Sequence, residues 1–193
     1  MISAIVLAAG KSSRMGVPKM TLPWGNSTVI GKVIITIQEA GLSNIQVVTG
    51  SNQKEVEDVL RGFPVEFIFN PNFTDGDMIT SVQEGLRSIR GKSEAALIVL
   101  GDQPQIEPHT IKVITECYYS TRCKIVVPSY QMHRGHPWLL KRTFWDEVLA
   151  LKTTLTLRDY LNRHQDKIKY VNVNTPSIIQ DLDTMEDYKS FSP

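Results

Sequence analysis

Short apolar runs alternate with longer amphipathic stretches along this chain, the rhythm of a parallel sheet covered by helices. The runs fall at residues 4–8, 45–49, 65–69, 95–100 and 124–127. Each is rich in Val, Ile, Leu or Phe, as strands buried on both faces should be. Between them, helices are predicted over 28–40, 53–61, 77–90 and 108–119. The first carries Val29, Val33, Ile34 and Ile37 at helical spacing and stops at Gly41. Beyond Pro128 the rhythm changes. Residues 129–137 read as a polar, turn-rich stretch, followed by a short apolar piece at 138–140. Helices at 143–151 and 156–164, a strand at 168–173, and a last acidic turn and helix from Asp181 complete the chain. No internal repeat, low-complexity tract or linker interrupts residues 1–193. The pattern predicts one domain, a three-layer α/β/α sandwich with a mostly parallel, Rossmann-like sheet. Residues 129–180 are expected to elaborate the side that meets a second substrate.

Composition narrows the classes of function. A chain of 193 residues, 41% hydrophobic and 21% charged, is ordinary for a globular domain. Its net charge of +1 provides no global field toward nucleic acid or a membrane surface, so neither is an expected partner. Any anion must be held by a few well-placed cations. Cys117 and Cys123 are too few for a disulfide framework and lack metal-ligand spacing. Cys123 leads into an apolar run and is expected as a buried free thiol in a reducing, cytoplasmic setting. The first apolar run lacks a basic leader and is too short for a signal peptide. No stretch approaches the roughly 20 apolar residues that span a bilayer.

The strongest local signal is Leu7-Ala8-Ala9-Gly10-Lys11-Ser12-Ser13-Arg14-Met15-Gly16-Val17-Pro18-Lys19. A strand ends in small residues, a glycine permits a tight turn, and cations follow. Small residues let a nucleotide lie against the backbone, and N–H groups in such a turn form an anion-binding concavity. Arg14 can grip phosphate oxygens bidentately, while Lys19 acts as a point charge. Both are expected as loop cations whose removal leaves folding intact. The P-loop is excluded, because five residues separate Gly10 from Gly16 and Val17 follows. The dinucleotide fingerprint is excluded by Ser12.

Residues 97–102 form an apolar strand tipped by a carboxylate, Asp102, on the same sheet edge as the glycine loop. A lone carboxylate there suits Mg²⁺, which takes one or two protein oxygens and fills the rest with phosphate and water. Asp181 and Asp183 both precede a short helix, which Asp183 or Thr184 would also cap. Ser81 lies in the helix that opens after Asp77, itself a natural N-cap. The stretch from Tyr130 to Pro137 carries His133, Arg134 and His136, which suggest an anionic acceptor; no third His and no Cys is near enough to complete a zinc site.

The loop from Leu7 to Lys19 resembles the signature of the MobA-like nucleotidyltransferase family, most closely its molybdenum-cofactor cytidylyltransferase branch. The resemblance continues in family order at Asn70-Pro71-Asn72-Phe73, at residues 81–86 and 100–104, at Arg134-Gly135-His136-Pro137, and at residues 181–187. It implies transfer of a nucleoside monophosphate from an NTP to a small phosphorylated acceptor, with release of pyrophosphate. The implied catalytic residues are Arg14, Lys19 and Asp102. Leu7, Ala8, Ala9, Gly10, Ser12, Arg14, Lys19 and Ser81 are implied to hold the nucleotide. Asp183 is implied to share Mg²⁺ with Asp102, with Asp181 as the alternative. Ala9, where guanylyl-transferring relatives often carry glycine, points to CTP, with molybdopterin as acceptor beside Gly135-His136-Pro137. A molybdoenzyme or its chaperone is the implied protein partner. The chain departs from the family at Asp77, where a glycine usually precedes the methionine. Two other classes stay open: a sugar-1-phosphate nucleotidyltransferase and a non-catalytic nucleotide-binding accessory protein. Retention of Arg14, Lys19 and Asp102 argues against the second.

Overall fold

A computed structural model describes residues 1–10, 15–74, 78–152 and 154–193. Strand β1 (Ile2–Ala8) is buried along its whole length. A single 3-10 turn (Lys19–Thr21) and a small ribbon of β2 (Pro23–Trp24) and β3 (Ser27–Thr28) lead into helix α1 (Val29–Glu39). There follow β4 (Ile45–Thr49), α2 (Gln53–Val59), β5 (Glu66–Phe69), α3 (Met78–Ile89), β6 (Ala95–Leu100) and α4 (Pro108–Thr121). The last third holds β7 (Ile125–Tyr130), β8 (His133–Arg134), β9 (Trp138–Lys141), α5 (Trp145–Leu149), α6 (Leu157–Arg163), β10 (Ile168–Asn172) and α7 (Met185–Phe191).

The main sheet runs in the order β10-β7-β9-β6-β1-β4-β5, with β8 also paired to β7. All neighbours are parallel except β9, antiparallel to both β6 and β7, and β8, antiparallel to β7. Alternate residues of β1 point to opposite faces. Ala4, Val6 and Ala8 pack with α1, α2 and α4, whereas Ile5 and Leu7 pack with α3, α5 and α6. The three-layer α/β/α arrangement is therefore present.

The helices begin and end where local chemistry satisfies their backbone. Thr28 caps α1 by accepting from the Gly31 N–H at 3.1 Å, and Ile30, Val33, Ile34 and Ile37 form its buried stripe. Each such side chain withdrawn from water contributes about 1.5–3 kcal/mol. Thr156 with Asp159 and Thr184 with Asp187 form reciprocal caps on α6 and α7. The last helix consequently starts at Met185, later than the acidic turn suggested. Among the described residues, no helix is long and apolar enough to cross a membrane.

Several elements depart from the sequence reading. Strand β5 is the sheet's edge, with Glu66 and Phe69 exposed, so it is not buried on both faces. Residues 129–137 are not simply a turn. Strand β7 runs on to Tyr130 and pairs with β8 through Gln131 and Met132, both at positive φ (47° and 68°). That geometry matches the right-handed twist of a hairpin. The unassigned piece at 138–140 is β9, which inserts between β6 and β7. The segment expected at 143–151 divides into a 3-10 turn (Arg142–Phe144) and α5. Cys117 and Cys123 are free but only partly buried, and burial raises the Cys123 pKa.

Gly135 meets a constraint that its sequence context hides. A Cβ there would lie 2.1 Å from the Ile178 carbonyl oxygen. Substitution Gly135→Ala is expected to destabilise the fold by about 1–3 kcal/mol, the usual cost of overpacking. Thermal unfolding should read this as a loss of roughly 2–4 °C per kcal/mol. An unchanged melting temperature would mean that the segment holding Ile178 moves away at no cost.

Candidate active site

Strands β1 and β6 lie side by side in parallel, with Leu7 opposite Leu100. The chain leaves β1 for β4 and β5 on one side and returns to β6 on the other, so their carboxyl ends meet where the strand order reverses. Open α/β sheets bind ligands at such points. The Gly101 N–H donates to the Leu7 carbonyl at 3.0 Å, and a Cβ at Gly101 would lie 2.8 Å from that oxygen. Glycine thus lets Asp102 sit against the end of β1. Gly10 is different. Among the described residues a Cβ there would meet nothing within 4 Å, and no positive φ demands glycine.

A cavity of about 420 Å³ occupies this edge. Leu7, Ala9, Gly10, Lys19, Ser81, Asp102 and Asp183, all singled out from the sequence, line it. Ala8 packs into the core on the opposite face of the sheet. Ser12 and Arg14 lie outside the described residues, as does Asp77.

Lys19 is not an exposed loop cation. It is 9% exposed, in the 3-10 turn after the loop. Its ammonium donates to Asp102 Oδ2 and, at 3.0 Å, to the Leu182 carbonyl, and lies 3.8 Å from Asp183 Oδ1. A carbonyl and two carboxylates compensate a charge that burial would otherwise penalise.

The carboxyl-terminal acids reach Asp102 through backbone pairing, the Leu182 N–H donating to the Asp102 carbonyl at 3.2 Å. Leu182 is fully buried beside Trp24 and Val29, which anchors the segment. Asp181 also lines the cavity, but its Oδ1 accepts from Gln103 Nε2 at 2.6 Å. Burial, and then the negative charges of Asp102 and Asp183, raise the Asp181 pKa. Gln103, buried behind the acids, had no role assigned from sequence; its place directly after Asp102 was the available signal. Among the described residues no three metal-binding side chains converge on one point. Asp102 and Asp183 are hard oxygen donors, 18% and 41% exposed, so the donor set suits a cation that keeps most of its ligands as water and phosphate.

Ser81 is buried in α3, not solvated, and its orientation is set by Asn70. The Asn70 Oδ1 accepts from the Asn72 N–H at 2.9 Å, which fixes the direction of the amide. Its Nδ2 then donates to Thr80 Oγ1 and Ser81 Oγ, each at 3.0 Å. Ser81 therefore accepts from Asn70, and the residue lines the cavity. Asn70 belongs to the Asn-Pro pair after β5, a turn signal whose side-chain role was not legible.

The expected acceptor segment is only partly assembled. His133 is exposed on the hairpin, its Nδ1 within 2.9 Å of the Gln131 carbonyl oxygen. His136 is buried, and burial lowers its pKa to about 4. It is uncharged near neutrality and cannot serve as a cation for an anionic acceptor. Its ring stacks on Trp138, with centroids 4.2 Å apart.

The sequence profile described as MobA-like NTP transferase domain matches residues 4–168. The chain is 27% identical over 190 residues to the molybdenum cofactor cytidylyltransferase of Escherichia coli (strain K12), covering 97% of this chain and 93% of that protein. It is 30% identical over 184 residues to the bifunctional protein GlmU of Francisella tularensis subsp. novicida (strain U112). That match covers 94% of this chain and only 38% of the longer relative. Among solved structures, Rv0371c from Mycobacterium tuberculosis H37Rv superposes with a TM-score of 0.86 at 25% identity, over 98% of this chain and 96% of that one. The same protein has been solved in complex with manganese. The chain belongs to the MobA-like NTP transferase family and is a nucleotidyltransferase.

Proposed function

We propose that the protein transfers the cytidylyl group of Mg²⁺-bound CTP to a phosphorylated acceptor, molybdopterin, releasing pyrophosphate. The observation that carries this reading is the meeting of Lys19, Asp102 and Asp183 in one cavity with the open backbone at Gly10. In the reaction an acceptor phosphate oxygen attacks the α-phosphorus in line, and the bond to the β-phosphate oxygen breaks. No protein nucleophile is required, so the chain contributes position and charge. Asp102 and Asp183 would hold Mg²⁺, which when bound withdraws charge from the α-phosphate oxygens. The manganese complex of Rv0371c supports a divalent cation. Lys19 and Arg14 would neutralise the triphosphate and the departing pyrophosphate. The free thiols at Cys117 and Cys123 agree with a reducing, cytoplasmic setting.

The preference for CTP rests on Ala9, a residue of the cavity lining, where alanine leaves less room than glycine would for a purine's second ring. The Ser81 hydroxyl, which accepts from Asn70, still has a proton to donate and would suit a pyrimidine carbonyl. One methyl group is worth only roughly 1–3 kcal/mol in a pocket. CTP is therefore expected to exceed GTP in kcat/KM, and Ala9→Gly to narrow the gap without reversing it. A wild-type preference for GTP would overturn the cytidylyl assignment and leave nucleotidyl transfer standing. Pyrophosphate release from the four NTPs, each with molybdopterin and a panel of sugar phosphates, tests the whole reading. Release with a sugar phosphate alone would replace molybdopterin as the acceptor.

A further inference from the structure

Two glutamines follow Asp102 closely in the chain, Gln103 and Gln105, and both reach to the carboxyl-terminal segment. Gln103 is 1% exposed. Its Nε2 donates to Asp181 Oδ1 at 2.6 Å and, more weakly, to the Ile178 carbonyl at 3.5 Å. Gln105 Nε2 donates to the Gln180 carbonyl. Together with the bond from the Leu182 N–H to the Asp102 carbonyl, these contacts hold residues 178–182 against residues 102–105. Asp183 follows directly and comes within 3.8 Å of the Lys19 ammonium.

Charge fixes the direction of the Gln103 amide. Turned over, it would set an acceptor oxygen against a carboxylate, which when ionised has only acceptors to offer. The other end of the amide gains nothing, since among the described residues no donor meets the buried Oε1 of Gln103. Burying an acceptor without a partner is unfavourable. A leucine of similar size would pack here without that cost, so what glutamine contributes is the donor aimed at Asp181. Asp181 and Asp183 flank the buried Leu182, and both line the cavity with Asp102. Two acids are therefore available in one cavity to share a cation with Asp102, and the amide occupies one of them, Asp181.

We propose, resting on the Mg²⁺-dependent transfer reading above, that Gln103 is a positioning residue: its amide holds Asp181 away from the cation, so that Asp183 shares the cation with Asp102. Gln103 is not part of the cavity lining and acts through Asp181. Groups one step removed from a metal ligand commonly change metal affinity or activity by about 10–100-fold.

Mn²⁺ titrated into the full chain without nucleotide, followed by electron paramagnetic resonance, tests this beside Mg²⁺-dependent pyrophosphate release. Asp183→Asn alone should weaken Mn²⁺ binding by about tenfold or more. In a Gln103→Leu background Asp181 is released to take its place, and Asp183→Asn should then cost less than about threefold. Gln103→Leu by itself should lower kcat by about tenfold, because the cation is shared with the wrong acid. Adding Asp181→Asn removes that rival and should restore most of the rate, a recovery that a merely structural role for Gln103 does not produce. Gln103→Met, which also lacks a donor, serves if the leucine variant does not fold. An Asp183→Asn effect that is the same with and without Gln103→Leu, or a failure of Asp181→Asn to restore turnover, overturns the proposal. Wild type that binds Mn²⁺ yet releases no pyrophosphate would instead overturn the transfer reading, and the Mn²⁺ titrations would still decide the role of Gln103.

Discussion

Asp102→Asn is expected to reduce nucleotidyl transfer by about 10²-fold or more while CTP still binds, more weakly. Asparagine keeps the shape of the side chain at the tip of β6 and its contact with the Lys19 ammonium. What it lacks is the negative charge on which a hard cation depends. Because Asp102 is partly exposed and the backbone bond from Leu182 to its carbonyl is untouched, the fold should survive. Pyrophosphate release as a function of Mg²⁺, beside equilibrium CTP binding, separates the two effects. Normal turnover at low millimolar Mg²⁺ would place the metal elsewhere.

Lys19→Met should cost activity on the same scale and, unlike Asp102→Asn, stability as well. Methionine retains an apolar stem of similar length, so the substitution removes the charge and little of the packing. Asp102, Asp183 and the Leu182 carbonyl then face one another without the cation that compensates them. Stripping one partner from a buried pair commonly costs 3–5 kcal/mol, but the carboxylates here reach water, so about 1–2 kcal/mol is the expected loss. Arg14→Ala, in the same loop, should lower the rate to a similar extent. Thermal unfolding and turnover, measured together, check both. Near-wild-type turnover in Lys19→Met would sink the phosphate-neutralising role, and an unchanged melting temperature would show that water replaces the ammonium at no cost.

Much of this architecture is local in origin. The apolar runs of β1, β4 and β6 and the stripe of α1 are patterns of period 2 and 3.6, which a single segment carries within itself. The positions of Gly10 and Asp102 were legible for a related reason, since both sit at the ends of such runs, and open α/β sheets bind ligands at strand ends. Strand β9 was not legible, because three apolar residues do not distinguish a strand from a buried turn. Only its pairing with β6 and β7 makes it one.

The side chains that the sequence misjudged are those whose environment comes from distant segments. Lys19 is a loop lysine by sequence. It becomes a buried, ion-paired group because Leu182, more than 160 positions away, anchors the chain that covers it. His136 looks like a cation among polar neighbours, yet burial against Trp138 leaves it neutral. Gln103 carries no signal beyond its place after Asp102, and it meets Asp181 only because the carboxyl-terminal segment returns to the tip of β6. Thus the sequence by itself determined the layers, the glycine after the first strand and the strand-end carboxylate, all dictated by periodicity and by residues that are neighbours in the chain. The tertiary structure alone decided burial, charge state and which distant groups meet, since desolvation and ion pairing act through space.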